Sequence, residues 1–242
     1  VSRPPRAVVR LAGLLAVVCL LALAASRLYA PERVLDLTPG ADYVAAPTPP
    51  ERARSAGQLV EQRWLTRTAR ATGIPVPALR AYADAQLSDP GCRVGWTTLA
   101  GIGWVESQHG TLGGRTLGAD GRSSSTILGP ALDGSGEFAA IRATGGSARW
   151  HGDAVWEHAV GPMQFLPTTW EPWGADGDGD GAADPRDLDD AALGAARYLC
   201  AAGEDLTGLE TWEAAVLTYN RSREYVDAVH AAASAYARAA GG

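Results

Sequence analysis

The chain has 242 residues, of which 46% are hydrophobic and 20% charged, a composition that suits a globular protein and excludes a disordered one. A formal charge of -6, with arginine in place of every lysine, lacks the concentrated basic face that nucleic-acid binding needs. Three cysteines are too few for a disulfide-built scaffold.

Residues 1–28 open with Arg3, Arg6 and Arg10, followed by an uncharged run from Leu11 to Ser26. A basic flank before an apolar run directs export with the basic end left in the cytoplasm. Sixteen uncharged residues are short for a span of about 20, although flanking arginines can snorkel. The segment therefore reads as a retained signal anchor, with Ala22-Leu23-Ala24 offering a cleavage site for the alternative of a secreted protein. Either way the body is expected outside the cytoplasm, with membrane contact through this segment alone. Cys19 lies inside the apolar run after Val17-Val18 and lacks the small-residue context of a lipidation site. Residues 29–56 carry Pro31, Pro39, Pro47, Pro49 and Pro50 without apolar periodicity, the pattern of a semi-rigid, unstructured spacer.

Residues 57–242 form the body, and its pattern is helical. Leu59, Trp64, Leu65 and Thr68 mark a first helix closed by Gly73, and Pro75-Val76-Pro77 starts a second that runs to Leu87. After the turn at Ser88-Asp89-Pro90-Gly91, Val94 to His109 reads as a helix stopped by Gly110. Residues 111–154 are rich in Gly and Ser and predict a long loop with a short hairpin over the site; Ile127-Leu128-Gly129-Pro130 and Phe138 to Arg142 are its ordered pieces. Gly161-Pro162 is expected to lead into a short helix ended by Pro167. Helices follow over Leu188–Ala202, from Thr211 (an N-cap candidate) to Asn220, and over Ser222–Ala239. The fold class is mainly α.

Within the Val94–His109 helix, Leu99, Ile102, Gly103 and Glu106 share one face, so a carboxylate stands where the apolar stripe calls for another leucine. Desolvation there favours the neutral carboxyl, the form a general acid needs near pH 7. The four histidines show no nucleophile-elbow context, and with two usable cysteines they give no zinc spacing. In Gly161-Pro162-Met163-Gln164-Phe165, Gln164 is a polar tip among apolar neighbours. Tyr219, Asn220 and Tyr225 fall at a break between two helices, where aromatic faces and amides suit a saccharide; an aromatic helix contact is the competing reading. Cys92 and Cys200 remain as a disulfide pair that export would allow.

Three ordered motifs, Glu106-Ser107-x-x-Gly110, then Gly161-Pro162-Met163-Gln164-Phe165 followed by Pro167-x-Thr169-Trp170, then Tyr219-Asn220, resemble the MltB-like lytic transglycosylases of the lysozyme-like (goose-type) superfamily, in the form typical of GC-rich Gram-positive bacteria. The resemblance covers about residues 57–240. It implies a goose-lysozyme-like helical domain that cleaves the MurNAc-GlcNAc bond of peptidoglycan glycan strands, with other cell-wall enzymes as candidate partners. It implies Glu106 as the catalytic acid, and Ser107, Met163, Gln164, Phe165, Tyr219, Asn220 and Tyr225 as substrate contacts. Two departures stand out: the cleft arginine of some members has no counterpart that can be placed, and a cleft serine of others is Val155 here. With one good carboxylate, closure of a 1,6-anhydro ring is favoured over hydrolysis, which needs a second acid. Asp153, Glu157 and Glu137 are the candidates for that role.

Asp176-Gly177-Asp178-Gly179-Asp180-Gly181 with Ala182 and Asp187 follows the EF-hand loop at positions 1, 3, 5, 6, 7 and 12, with Asp190 as an alternative last ligand. One structural calcium is expected there and no catalytic cofactor. A calcium-dependent wall-binding module without catalysis is the rival reading from a different class; it would have no use for Glu106 in its full motif.

Overall fold

Helix geometry in this protein is set by close approach at glycine and by proline at helix starts. The computed structural model describes residues 48–55, 58–88, 91–136 and 139–241. Among these, strands β1 (Glu51–Ser55) and β2 (Gln58–Val60) pair antiparallel. The helices are α1 (Gln62–Thr72), α2 (Val76–Leu87), α3 (Trp96–Ser107), α4 (Ala148–His151), α5 (Pro167–Trp173), α6 (Leu188–Ala202), α7 (Leu209–Tyr219) and α8 (Arg223–Gly241). The chain is mainly helical, as the sequence predicts. The proposed signal segment 1–28 and most of the spacer lie outside the described residues, as do Asp89, Pro90, Glu137 and Phe138. No described helix is long and apolar enough to cross a membrane.

The ordered body begins earlier than expected. Residues 51–55, read as the end of the spacer, form β1, and Leu59 lies in β2 rather than in the first helix. Asp84 on α2 supplies the reason, because its carboxylate accepts hydrogen bonds from the backbone N–H groups of Leu59 (3.1 Å) and Val60 (2.8 Å). Periodicity alone cannot reveal such a long-range anchor.

Helix α3 is buried on every side, not on one stripe: Trp96, Thr97, Thr98, Leu99, Ala100, Gly101, Ile102 and Gly103 are all enclosed. A helix apolar all round belongs in the middle of a domain. Its closest partner is α8. A Cβ at Gly101 would stand 2.8 Å from the Val229 carbonyl, and one at Gly103 would strike the Tyr82 hydroxyl, so both glycines are places where neighbours pass against bare backbone. Helix α2 packs on α6, and the Cys92–Cys200 disulfide (Cα–Cα 5.2 Å) ties the segment before α3 to the end of α6. The expected pairing of these cysteines is present.

Between α3 and α5 the chain forms the expected hairpin-bearing loop, with bridges Leu128–Val160, Asp133–Ala140 and Arg142–Trp156 and the short helix α4. Three local expectations are corrected. Gly161 to Gln164 is a tight turn rather than a helix, closed by reciprocal backbone bonds between Val160 and Phe165 (2.8 and 3.0 Å). Pro167 then starts α5 instead of ending a helix, since its fixed φ and missing N–H suit the first helical position. Helix α7 begins at Leu209 after Gly208, and Thr211 lies inside it, donating its hydroxyl to the Gly208 carbonyl. Ser222 caps α8 by accepting from the Tyr225 N–H at 3.2 Å.

Candidate active site

The helix that carries Glu106 ends abruptly one residue later. Gln108, His109 and Gly110 all take positive φ (52°, 59° and 81°), and the His109 and Gln108 N–H groups bond the Gly103 and Trp104 carbonyls at 2.8 and 2.9 Å. The Gln108 bond to Trp104 is that of an αL ending, with glutamine rather than glycine in the left-handed position, and His109 reaches one carbonyl further back. The strain is offset by the buried bonds of His109, whose ring nitrogens lie 3.0 Å from the Tyr82 hydroxyl and 2.9 Å from the Tyr236 hydroxyl. Burial holds this imidazole neutral, with its pKa lowered to about 3. His109 is thus a satisfied core histidine that locks α2, α3 and α8 together behind the acid.

Glu106 itself is half-buried. Its Oε1 accepts a 2.7 Å hydrogen bond from the Tyr225 hydroxyl, and no other bond to it occurs among the described residues. Burial raises its pKa to about 7, while the Tyr225 bond pulls the other way. A carboxyl poised at that value holds a proton for transfer and can take one back. Tyr225 lies parallel to Tyr219, with ring centroids 6.5 Å apart and planes 7° apart.

The three sequence motifs meet at the Gly161–Gln164 turn. Its carbonyls are anchored one after another: Gly161 O accepts from the Gln164 side-chain amide (2.8 Å), Pro162 O from the Ser107 hydroxyl (2.6 Å), and Met163 O from the Tyr219 hydroxyl (2.7 Å). Ser107 Oγ also accepts from the Gly110 N–H at 2.8 Å, which gives the Glu-Ser-x-x-Gly spacing its physical reason. Gly161 has φ 77°, and a Cβ there would collide with the Pro185 carbonyl, so only glycine fits.

Among the expected substrate contacts, Gln164 and Tyr219 are half-buried and lie on this turn and its anchor. Ser107 and Met163 are fully enclosed, and Phe165, Asn220 and Tyr225 nearly so. Ser107 is therefore corrected from a substrate contact to a support of the turn, because its hydroxyl is engaged by protein on both sides. Asn220 accepts from the Ser222 N–H through Oδ1, and its Nδ2 has no partner among the described residues. Sequence reading missed Tyr198 and Trp173, which continue the Tyr219 aromatic contacts (Tyr198–Tyr219 5.7 Å, Trp173–Tyr198 6.0 Å). No spacing rule links residues from α5, α6 and α7.

Of the candidate second acids, Asp153 is held by protein and Glu157 is enclosed. Asp153 accepts from the Val155 and Trp156 N–H groups and from His158 (2.7, 3.1 and 3.1 Å), which hold its pKa down to about 2. Glu157 is buried, 3.9 Å from the enclosed His151 Nε2. Glu137 lies outside the described residues. Val155 is exposed.

In the acidic loop, carboxylate oxygens of Asp176, Asp178 and Asp190 lie within 4.8 Å of one another. Asp187 is not with them: it caps α6 by accepting from the Asp189 N–H at 2.9 Å and faces Arg122 at 3.6 Å. The last acid of the cluster is Asp190, one helical turn further on. Asp180 accepts from the Ala182 N–H (2.8 Å) at the exposed tip.

These positions can be set against known families. Residues 138–212 match the model of the transglycosylase SLT domain. No curated protein and no solved structure matches the chain. The SLT match supports a lytic transglycosylase of the lysozyme-like superfamily, a class that cleaves glycosidic bonds of peptidoglycan. Its span includes the Gly161–Phe165 turn, the acidic loop and α6, whereas Glu106, Tyr219 and Tyr225 lie outside it.

Proposed function

We propose that this protein is a peptidoglycan lytic transglycosylase that cleaves the MurNAc-GlcNAc β-1,4 bond and leaves a 1,6-anhydroMurNAc end, with Glu106 as its single acid and base. The observation that carries this reading is the half-buried Glu106 carboxyl, raised to about 7 and bonded to Tyr225 beside the triply anchored turn. Glu106 would donate its proton to the glycosidic oxygen as the bond to C1 breaks. The resulting carboxylate would then accept the proton of the MurNAc C6 hydroxyl as that oxygen bonds to C1, so the proton is returned and no water is consumed. The hydrogen bonds that hold Asp153 and the burial of Glu157 favour this route over hydrolysis. Reducing-end analysis of digested cell wall is the test: anhydroMurNAc supports the proposal, reducing MurNAc would make it a hydrolase, and no products a binding module.

The acid must be protonated to start the reaction, so activity is expected to fall as pH rises through about 7. Tyr225→Phe removes the bond that stabilises the carboxylate, and the alkaline limb should move to higher pH. A limb that stays in place or moves down would show that Tyr225 does not tune Glu106.

The acidic loop fits a hard, oxygen-liking cation, and we propose one structural calcium held by Asp176, Asp178 and Asp190, with Asp180 and the Ala182 carbonyl at the tip. Calcium a hundredfold above its Kd should then raise the melting temperature by roughly 5–10 °C. Asp190→Asn should abolish that rise. An unchanged melting curve for the wild type would remove the site. We further propose that the N-terminal segment holds the protein at the outer face of the cell membrane, or directs its secretion when cleaved.

A further inference from the structure

We propose that Trp173, Tyr198 and Tyr219 form a glycan-binding track that extends from Glu106 to the end of α5 and seats successive pyranose rings of the strand. This rests on the reading of Glu106 as the catalytic acid. The chain carries eight tryptophans. Trp96, Trp170 and Trp212 are core residues, and Trp64, Trp104 and Trp150 pack against the core. Trp156 is covered by the Arg142 guanidinium, 4.0 Å from its ring. Trp173 is different: it is half-buried, belongs to neither group, and its one ring neighbour among the described residues is Tyr198 at 6.0 Å. Its indole therefore keeps part of its surface in water beside the Tyr198 ring, where a flat apolar ligand can reach it.

The remaining rings continue the line. Tyr198 meets Tyr219 at 5.7 Å, Tyr219 meets Tyr225 at 6.5 Å, and the Tyr225 hydroxyl bonds the Glu106 carboxyl. Trp173, Tyr198 and Tyr219 are each half-buried, the two tyrosines packed on one side against the core, whereas Tyr225 is enclosed beside Glu106. The steps are about the width of one sugar ring. The electron-rich ring faces suit the C–H groups on the faces of β-linked pyranoses. Two rings are fixed in advance by their hydroxyls, Tyr198 donating to the Thr218 carbonyl (2.9 Å) and Tyr219 to the Met163 carbonyl (2.7 Å), so little ordering remains to be done on binding. The exposed Arg221, whose charge acts on the Tyr198 hydroxyl, adds a cation for the carboxylates that wall glycans carry.

The test uses the full chain with Glu106→Gln, which binds without cutting, titrated with purified wall glycan strands while tryptophan fluorescence is followed. Adding Trp173→Ala should weaken binding about tenfold, and Trp173→Phe, which keeps a flat face, should recover most of it. Tyr198→Phe should bind less tightly than its parent if the fixed ring orientation matters. Equal affinity of the Trp173→Ala protein and its parent would overturn the track and leave the proposed reaction standing. A parent that binds no strands, together with a wild type that cleaves none, would overturn both.

Discussion

Glu106→Gln should lower the rate of cell-wall cleavage by about 10³-fold or more and at the same time make the protein more stable at pH 8. The first effect follows from removing the only transferable proton of the proposed mechanism, since a positioned general acid contributes about 10²–10⁴-fold. The second follows from the environment that makes Glu106 useful. In the free chain its carboxyl titrates near 4.5, whereas in the fold burial raises it to about 7. The folded state therefore loses stability as pH rises from the lower value through the higher one, because ionisation in the site is disfavoured. An amide does not ionise, so the variant should gain on the order of 3 kcal/mol at pH 8 and almost nothing at pH 4. Urea unfolding at the two pH values, with cleavage measured on the same preparations, checks both halves. A variant that cleaves at near the wild-type rate removes Glu106 as the acid; equal stability at pH 8 removes the burial argument.

Replacing Cys92 and Cys200 together by alanine should cost about 4–5 kcal/mol, the loop-closure term for a bridge spanning about 108 residues. For a domain of this size that is roughly 10–20 °C in melting temperature. The effect is expected to be large because the bridge holds the segment leading into α3 against the far end of α6, and the Leu206 N–H bonds the Cys92 carbonyl (2.8 Å) at the same junction. A double variant melting within about 2 °C of the wild type would assign the stability of this corner to packing alone.

Sequence reading located the disulfide, most helices and the desolvated carboxyl of Glu106 because each leaves a local mark. The Glu106 helix is followed by a run of positive-φ residues, the Gly161 turn by a proline start, and the EF-hand-like loop alternates Asp with Gly. Its failures share a cause, which is contact between residues far apart in the chain. Helix α3 looked amphipathic because one face was read in isolation, yet α8 covers another. Residues 51–55 looked like a spacer because Asp84, which pins the neighbouring strand, lies on α2. Counting along the loop points to Asp187 as the last acid, but a residue standing before a helix is claimed by its N-terminal N–H groups, and it is Asp190 that joins the Asp176–Asp178 cluster. The resemblance places Ser107 among the substrate contacts, but the fold puts the Pro162 carbonyl within reach of its hydroxyl.

The packing of α8 against α3 also has a consequence for the order in which the chain is made. Synthesis runs from the N-terminus, so Glu106 emerges more than a hundred residues before Tyr225 and Val229. Until then its helix lacks the backbone that Gly101 is shaped to receive, and its carboxyl lacks the hydroxyl that orients it. A nascent chain ending at Asn220 contains every residue of the SLT match, yet Glu106 still lacks the Tyr225 hydroxyl. Completion of the last helix, rather than formation of α3, is the event that finishes the proposed site.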